Sequence, residues 1–255
     1  MIRILRRTHT ILYLGAVLLF FIPFYPFLYF FTRNPHKYYN QIVFCRKWIS
    51  LLATSIVGIR FKVEYESNID WSEPYVICPN HTSILDITAL TYLCPQPFSF
   101  MGKIELLKNP VTRVFFKSID IAVDRKSKIS AFRAFKKADE MLKEGKSIVI
   151  FPEGKIDDEY PPRLHEFKSG SFRLAIDNKV KILPVVIQDV WRVLWDDGST
   201  YGSKPGVVHI KVLEPIDTQT LTQKEFDELQ HYVYQRMNQH WLQGNILYFN
   251  KSDHM

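Results

Sequence analysis

From residue 61 onward, seven short runs of strand character alternate with longer helical stretches, and this alternation restricts the fold more than any other feature of the chain. The runs are Phe61–Tyr65, Tyr75–Pro79, Phe98–Met101, Ile119–Val123, Ser147–Phe151, Ile182–Ile187 and Val207–Leu213. Each is a candidate strand. The stretches between them carry helical spacing. In Lys128 to Glu144, the residues Ile129, Phe132, Phe135, Ala138 and Leu142 are expected to share one buried face, and Gly145 stops the helix. Thr222 with Glu225 makes a capping-box pattern, which predicts a C-terminal helix reaching about Gln243. The alternation predicts an α/β fold: a mixed, largely parallel central sheet covered by helices on both faces.

The N-terminus differs. Ile11 to Phe31 is an apolar run of 21 residues without a charge. As a helix rising about 1.5 Å per residue, it would nearly cross a bilayer core of roughly 30 Å. Pro23 and Pro26 predict a kink or a break in it. Arg3, Arg6 and Arg7 precede the run and Arg33 and Lys37 follow it, so basic flanks assign no orientation. A cleavable signal peptide fits poorly, because Phe30-Phe31-Thr32-Arg33 stands where small residues belong. In the next segment, Tyr38 to Ile59, the residues Ile42, Cys45, Ile49, Leu52, Ile56 and Ile59 recur at helical spacing. Two readings stand side by side: a helix packed on its own domain, or one lying in the membrane interface with Arg46 and Lys47 near lipid phosphates. The division expected is a membrane-association segment, residues 1–59, ahead of an α/β domain, residues 60–245.

Charge narrows the class of partner. The net charge is +7, with a pI of about 9.2. Such a chain suits nucleic acid, an anionic membrane or phosphorylated substrates. No nucleic-acid-binding motif occurs, which leaves membrane and phosphate. The aromatic share of 15% is concentrated toward the N-terminus, where it fits contact with lipid. Three cysteines, Cys45, Cys78 and Cys94, form no C-x-x-C pair, so the catalytic domain is expected to face a reducing compartment.

Two blocks carry chemistry. The first, Asn80-His81-Thr82-Ser83-Ile84-Leu85-Asp86, directly follows the apolar run Tyr75–Pro79. Ligands of α/β sheets gather at the carboxyl ends of strands. A histidine there can act as a general base, and a carboxylate five residues on can orient it. The plainer reading is a capped helix start, with Asn80 or Ser83 as N-cap. The second block is the apolar run Ser147–Phe151 ending in Pro152-Glu153-Gly154. Proline stops the strand, and Gly154 permits close approach of backbone to a ligand; the plainer reading is a tight turn. Cys78 and Ser83 are rival nucleophiles, but Cys78 lies in an apolar strand and Ser83 lacks the G-x-S-x-G elbow. Trp191 and Trp195 flank the turn Asp196-Asp197-Gly198, as core or as the wall of an acyl groove.

The two blocks in this order resemble the glycerolipid acyltransferases of the 1-acylglycerol-3-phosphate acyltransferase type. That family carries N-H-x-x-x-x-D, a middle basic block, F-P-E-G and a late proline block. These correspond to Asn80 to Asp86, Gly102-Lys103-Ile104-Glu105-Leu106 to Val123-Asp124-Arg125, Phe151 to Gly154, and Ile182 to Ile187. Phe167-Lys168-Ser169-Gly170 also matches. The resemblance covers about residues 75 to 190.

It implies acyl transfer without a covalent enzyme intermediate and without a cofactor. His81 would take the proton of a lysolipid hydroxyl, which attacks the thioester of acyl-CoA or acyl carrier protein, and Asp86 would orient His81. Backbone N–H groups near Gly154 are the expected oxyanion donors. Lys103 and Arg125 would bind the acceptor phosphate. Glu153 would bind the acceptor or orient a basic neighbour. No metal is implied, since His-x-x-x-x-Asp matches no common zinc site. The implied partners are the lipid bilayer, a lysolipid acceptor and an acyl thioester donor, at the inner face of the cytoplasmic membrane. One departure matters. The family usually continues F-P-E-G with Thr-Arg, its arginine being associated with the acceptor phosphate, whereas here Lys155-Ile156-Asp157 follow. Lys155, Arg163 or Lys168 would then supply the charge. Alternatively the acceptor is a lysophospholipid diester or lyso-aminolipid, which the acidic run Asp157-Asp158-Glu159 favours. Lipid binding without catalysis, and lipid hydrolysis with water as acceptor, are the remaining alternatives.

Overall fold

The computed structural model describes residues 1–156 and 159–252. In chain order the elements are α1 (Ile2–Phe31), α2 (Tyr39–Ile56), β1 (Ile59–Tyr65), β2 (Val76–Pro79), α3 (Asp86–Leu93), β3 (Phe98–Lys103), α4 (Pro110–Phe116), β4 (Ile121–Val123), α5 (Lys128–Lys143), β5 (Ser147–Ile150), α6 (Gly170–Asn178), β6 (Ile182–Ile187), α7 (Val190–Val193), β7 (Gly206–Val212) and α8 (Phe226–Ser252). The strands form one sheet in the order β1-β7-β6-β2-β5-β3-β4. From β6 to β4 neighbours are parallel, β7 joins β6 antiparallel, and β1 pairs parallel with β7. The sheet is thus mixed and largely parallel, as the alternation of runs predicts.

Continuous burial of β2, β5 and β6 follows from helices on both faces. One core joins Val76, Cys78, Ile148 and Ile150 to α5, α6 and α8. The other joins Ile77, Val149, Leu183 and Val185 to Leu85, Ala89, Leu90 and Leu93, at and after the start of α3. Helix α8 docks through Leu229, Val233, Met237 and Trp241, a strict four-residue repeat. The capping-box contact forms, Glu225 accepting from the Thr222 N–H and hydroxyl at 2.8 and 3.0 Å, and the regular helix runs from Phe226 to Ser252, beyond the expected Gln243.

Helix α5 buries only the C-terminal part of the face the spacing predicts, Ala138 and Leu142, with Phe135 packed partly buried against the core. Ala134, Ala138, Met141 and Leu142 are buried, whereas Ile129 and Phe132 are 66% and 71% exposed. The reason is the phase of the stripe. Ile129 and Ala138 stand nine positions apart, about half a turn out of phase at roughly 100° per residue. A run of three-residue steps spirals off the buried face, and the small Ala134 and Ala138 set the contact.

Helix α1 continues unbroken through Pro23 and Pro26. It is long and apolar enough to cross a membrane, yet one stripe of it is covered by protein: Thr10, Tyr13, Ala16, Phe21 and Leu28. The covered stripe is tied down by polar contacts. His9 meets the Ser203 hydroxyl at 2.6 Å and the Val57 carbonyl at 2.9 Å, and the Ser203 N–H donates to Arg6 O at 3.1 Å. The remaining surface exposes Ile4, Leu5, Ile11, Leu12, Leu18, Leu19, Ile22 and Phe27.

In α2, Ile42, Cys45 and Ile49 are buried as the stripe predicts, while Ile56 is exposed and Ile59 opens β1. Arg46 does not face lipid phosphates. It is buried, donating to Asp120 Oδ1 and to Phe98 O, both at 2.7 Å. Lys47 reaches the Cys94 carbonyl at 3.4 Å. Of the two readings, packing on the domain is the one the structure realises for these two side chains.

Candidate active site

Strands β2, β5, β3 and β4 run the same way, so the residues following them collect along one edge of the sheet. His81 follows β2, Glu153 and Gly154 follow β5, Lys103 ends β3 and Arg125 follows β4.

The turn that carries His81 is held from below. Asn80 is fully buried, and its side-chain amide clasps Ile187 at the end of β6, accepting from its N–H at 2.7 Å and donating to its carbonyl at 3.2 Å. The chain then bends over Thr82 and Ser83 into α3, whose first residue is Asp86. Asp86 is fully buried, and its Oδ2 accepts three hydrogen bonds: from Thr82 N–H at 2.7 Å, Ser83 N–H at 2.9 Å and His81 Nδ1 at 2.8 Å. A carboxylate is an acceptor only, so this network assigns the proton to Nδ1 and leaves Nε2 with its lone pair. The imidazole lies on the Phe151 ring, centroids 4.0 Å apart, with its side chain 21% exposed. It is oriented on one edge, supported on one face, and open to a reactant.

Neither plain capping reading describes this turn. Ser83 Oγ accepts from Leu85 N–H at 3.0 Å and Ser83 is fully buried, which removes it as a nucleophile. Cys78 is also fully buried, and burial pushes its thiol up to about 12. A thiol so raised supplies no thiolate near neutral pH.

Glu153 is 3% exposed and joins the two blocks directly. Its Oε1 accepts from the His81 N–H at 2.6 Å and its Oε2 from the His165 N–H at 2.8 Å. Gly154 takes a φ of +71°, a backbone conformation that favours glycine. Its N–H donates to Phe151 O at 3.1 Å, closing the turn. The Gly154 amide itself is therefore committed within the turn and is not a free oxyanion donor. Its carbonyl accepts from the Arg125 guanidinium.

The two cations expected to share a phosphate face different neighbours. Arg125 meets the Gly154 turn, and Glu105 lies near enough to act on it electrostatically. Lys103 instead acts on Asp196 and Asp197, lowering the proton affinity of both. Asp157 and Asp158 of the acidic run lie outside the described residues.

Sequence reasoning did not find the destination of the Asp196-Asp197-Gly198 turn. Asp196 adopts a φ of +51° and lies alongside the His81 turn, its N–H donating to Thr82 O and its carbonyl accepting from Ile84 N–H, each at 2.9 Å. Burial, and then the Asp197 carboxylate, push the Asp196 carboxyl up; Lys103 and His81 oppose this. The turn was visible as Asp-Asp-Gly, but its partner lies more than a hundred residues away, beyond the reach of local spacing. The same segment meets α1 at Ser203, linking the N-terminal helix to the turn that carries His81. Trp191 and Trp195 are both core residues, packed on Tyr160.

Comparison with known proteins gives the wider setting. A family profile described as Acyltransferase matches residues 60–188. An uncharacterized acyltransferase of Schizosaccharomyces pombe is 32% identical over 189 residues, 73% of this chain and 67% of that protein. The human 1-acyl-sn-glycerol-3-phosphate acyltransferase beta is 32% identical over 172 residues, 65% of this chain and 59% of its own length. The Saccharomyces cerevisiae 1-acyl-sn-glycerol-3-phosphate acyltransferase is 28% identical over 184 residues, 71% and 60%. The chain thus aligns with less than two thirds of the length of the human and budding-yeast proteins. In fold, it is similar to the crystal structure of the 1-acyl-sn-glycerophosphate (LPA) acyltransferase from Thermotoga maritima, with a TM-score of 0.77, 23% identity, and coverage of 95% of this chain and 97% of that one.

Proposed function

The chain belongs to the acyltransferase family, and from that membership we propose that it transfers a fatty acyl group from a thioester to the free hydroxyl of 1-acylglycerol-3-phosphate, a step of phospholipid biosynthesis. The names of the human and budding-yeast relatives support this acceptor. The observation that carries the chemistry is the His81 Nδ1 to Asp86 Oδ2 contact of 2.8 Å beside an open Nε2 edge.

In this reading the Nε2 lone pair takes the acceptor hydroxyl proton as its oxygen bonds to the thioester carbonyl carbon. Asp86 stabilises the imidazolium that forms. The tetrahedral intermediate then collapses, breaking the carbon–sulfur bond. The thiolate leaves with the proton from Nε2, so His81 ends neutral and no acyl group is held by the enzyme. Glu153 acts as a positioning residue, since both carboxylate oxygens accept from backbone N–H groups, one of them that of His81. Arg125 and Lys103 supply positive charge for the acceptor phosphate and the donor's anionic carrier, acyl-CoA or acyl carrier protein. The exposed apolar surface of α1 rests in the bilayer, and the domain sits on the inner face of the cytoplasmic membrane, where its three buried thiols remain reduced.

The test is product analysis. Purified protein with acyl-CoA and lysophosphatidic acid should release free thiol and form phosphatidic acid, and His81→Ala should abolish both while remaining folded and membrane-bound. Full turnover in His81→Ala, or free fatty acid as the sole acyl product, rules the reading out. Ile156 favours a second reading, an acceptor without a phosphate monoester, and a panel including lysophosphatidylcholine and lysophosphatidylethanolamine separates the two.

A further inference from the structure

Of the three residues that could supply the charge missing at Ile156, Lys168 has a side chain that lies against Gly154. A Cβ built on Gly154 would stand 2.8 Å from Lys168 Nζ, 3.1 Å from Cε and 3.2 Å from Cδ. The end of the lysine is therefore laid across the open face of Gly154. The position is set by backbone on both sides. The Lys168 N–H donates to Pro152 O at 2.9 Å, and Phe167 beside it is buried in the core. The Arg125 guanidinium reaches the same residue and donates to its carbonyl. Two cations thus converge on one glycine peptide, directly next to Glu153, whose carboxylate holds the His81 N–H.

The charge around this corner is uneven. Lys103, the other cation of the site, shares its field with Asp196 and Asp197. The Lys168 ammonium has no hydrogen bond or ion pair among the described residues, and the residue is exposed. Position 156, two residues beyond Gly154, is an uncharged isoleucine. Beside the His81 turn, the Lys168 ammonium and the Arg125 guanidinium thus both lie at Gly154. A phosphate monoester carries between one and two negative charges near neutral pH and offers three acceptor oxygens. Arg125 can grip two of these in its fork, and a lysine acts as a compact point charge toward a third.

We propose that Lys168 binds the acceptor's phosphate monoester together with Arg125, over the open face of Gly154, and so determines specificity for a phosphorylated lysolipid. This rests on the acyl-transfer reading above and deepens it by naming the second cation of the phosphate seat. Gly154 then has two duties: it takes a left-handed backbone angle, and it leaves room for the ammonium.

The test uses the full-length protein in detergent micelles, as native, Lys168→Ala and Lys168→Arg. Each is assayed for thiol release with acyl-CoA and lysophosphatidic acid, and for inhibition by glycerol 3-phosphate as a soluble headgroup. Lys168→Ala should raise KM for lysophosphatidic acid and Ki for glycerol 3-phosphate by at least fivefold, with KM for acyl-CoA within twofold of native. Lys168→Arg, which keeps the charge, should recover most of the loss. Changes below fivefold in either acceptor constant, an equal rise in donor KM, or no recovery by arginine overturns the assignment. Native protein that fails to acylate lysophosphatidic acid at all overturns the acyl-transfer reading, and this inference with it; a native enzyme that is active while Lys168→Ala matches it overturns this inference alone.

Discussion

Asp86→Asn separates geometry from charge at the centre of the site. Asp86 Oδ2 receives all three hydrogen bonds, whereas Oδ1 is buried with no hydrogen-bond partner among the described residues. An asparagine can therefore place its carbonyl oxygen at the Oδ2 position, keep the Thr82, Ser83 and His81 contacts, and bury its NH2 where Oδ1 stood. The His81 turn should keep its shape. The cost of the buried amide without a partner is about 1–3 kcal/mol, a Tm lower by about 2–4 °C per kcal/mol for a chain of this size. What disappears is the negative charge beside the imidazolium. Two unit charges about 4 Å apart at an effective dielectric of about 20 interact by about 4 kcal/mol. At about 1.4 kcal/mol per decade, kcat should fall roughly a thousandfold. The assay is thiol release at saturating donor and acceptor, beside a melting curve. KM for acyl-CoA should change little, because the carboxylate is buried beneath the imidazole. A kcat within tenfold of native, in protein that melts within a few degrees of native, refutes the assignment of charge stabilisation to Asp86.

Three further outcomes follow from the same geometry. Glu153→Gln sets an amide donor against a backbone donor at either His81 or His165, so kcat should drop about a hundredfold from misplacement of the His81 turn while donor KM holds; a native kcat would show that the clasp is dispensable. Arg46→Ala leaves the Asp120 carboxylate buried without its cation and should cost about 3–5 kcal/mol in a denaturant titration, whereas a loss below about 1 kcal/mol would mean that the pair contributes little. Burial raises Cys45 to about 11 and Cys78 and Cys94 to about 12, so at pH 8 all three are neutral thiols; iodoacetamide should leave the folded enzyme unlabelled and active, and rapid labelling of Cys78 with loss of activity would reopen a thiol mechanism.

Much of this architecture was legible because it is written in local chemistry. Runs of strand length marked all seven strands to within about two residues: β2, β5 and β6, buried on both faces, as continuous apolar side chains, and β1 as an alternation of apolar and polar ones. His81, Asp86, Glu153 and Gly154 were visible as two short blocks at strand ends, and the reach of Asp86 back to His81 spans only five positions. Spacing was a poorer guide where a helix could turn. The apolar residues of α5 fit more than one stripe, and packing on the core kept Ala138 and Leu142 of the expected one but took Ala134 and Met141 in place of Ile129 and Phe132. Arg46 read as a charge interrupting an apolar helix, and only the approach of Asp120 and Phe98 made it a buried donor.

The sequence by itself determined the class of fold, the strand-end position of the reactive histidine and the types of residue around it, because these follow from periodicity and from the few side chains able to move a proton. Tertiary structure alone decided which groups face one another: both Glu153 oxygens on backbone amides, Lys103 toward Asp196 and Asp197, Lys168 across Gly154, and α1 tied through Ser203 to the segment beside His81. Each of these contacts except the Lys168 crossing and the Glu153–His165 bond joins positions far apart along the chain. Their geometry depends on how strands order within the sheet, and no local pattern of residues encodes that order.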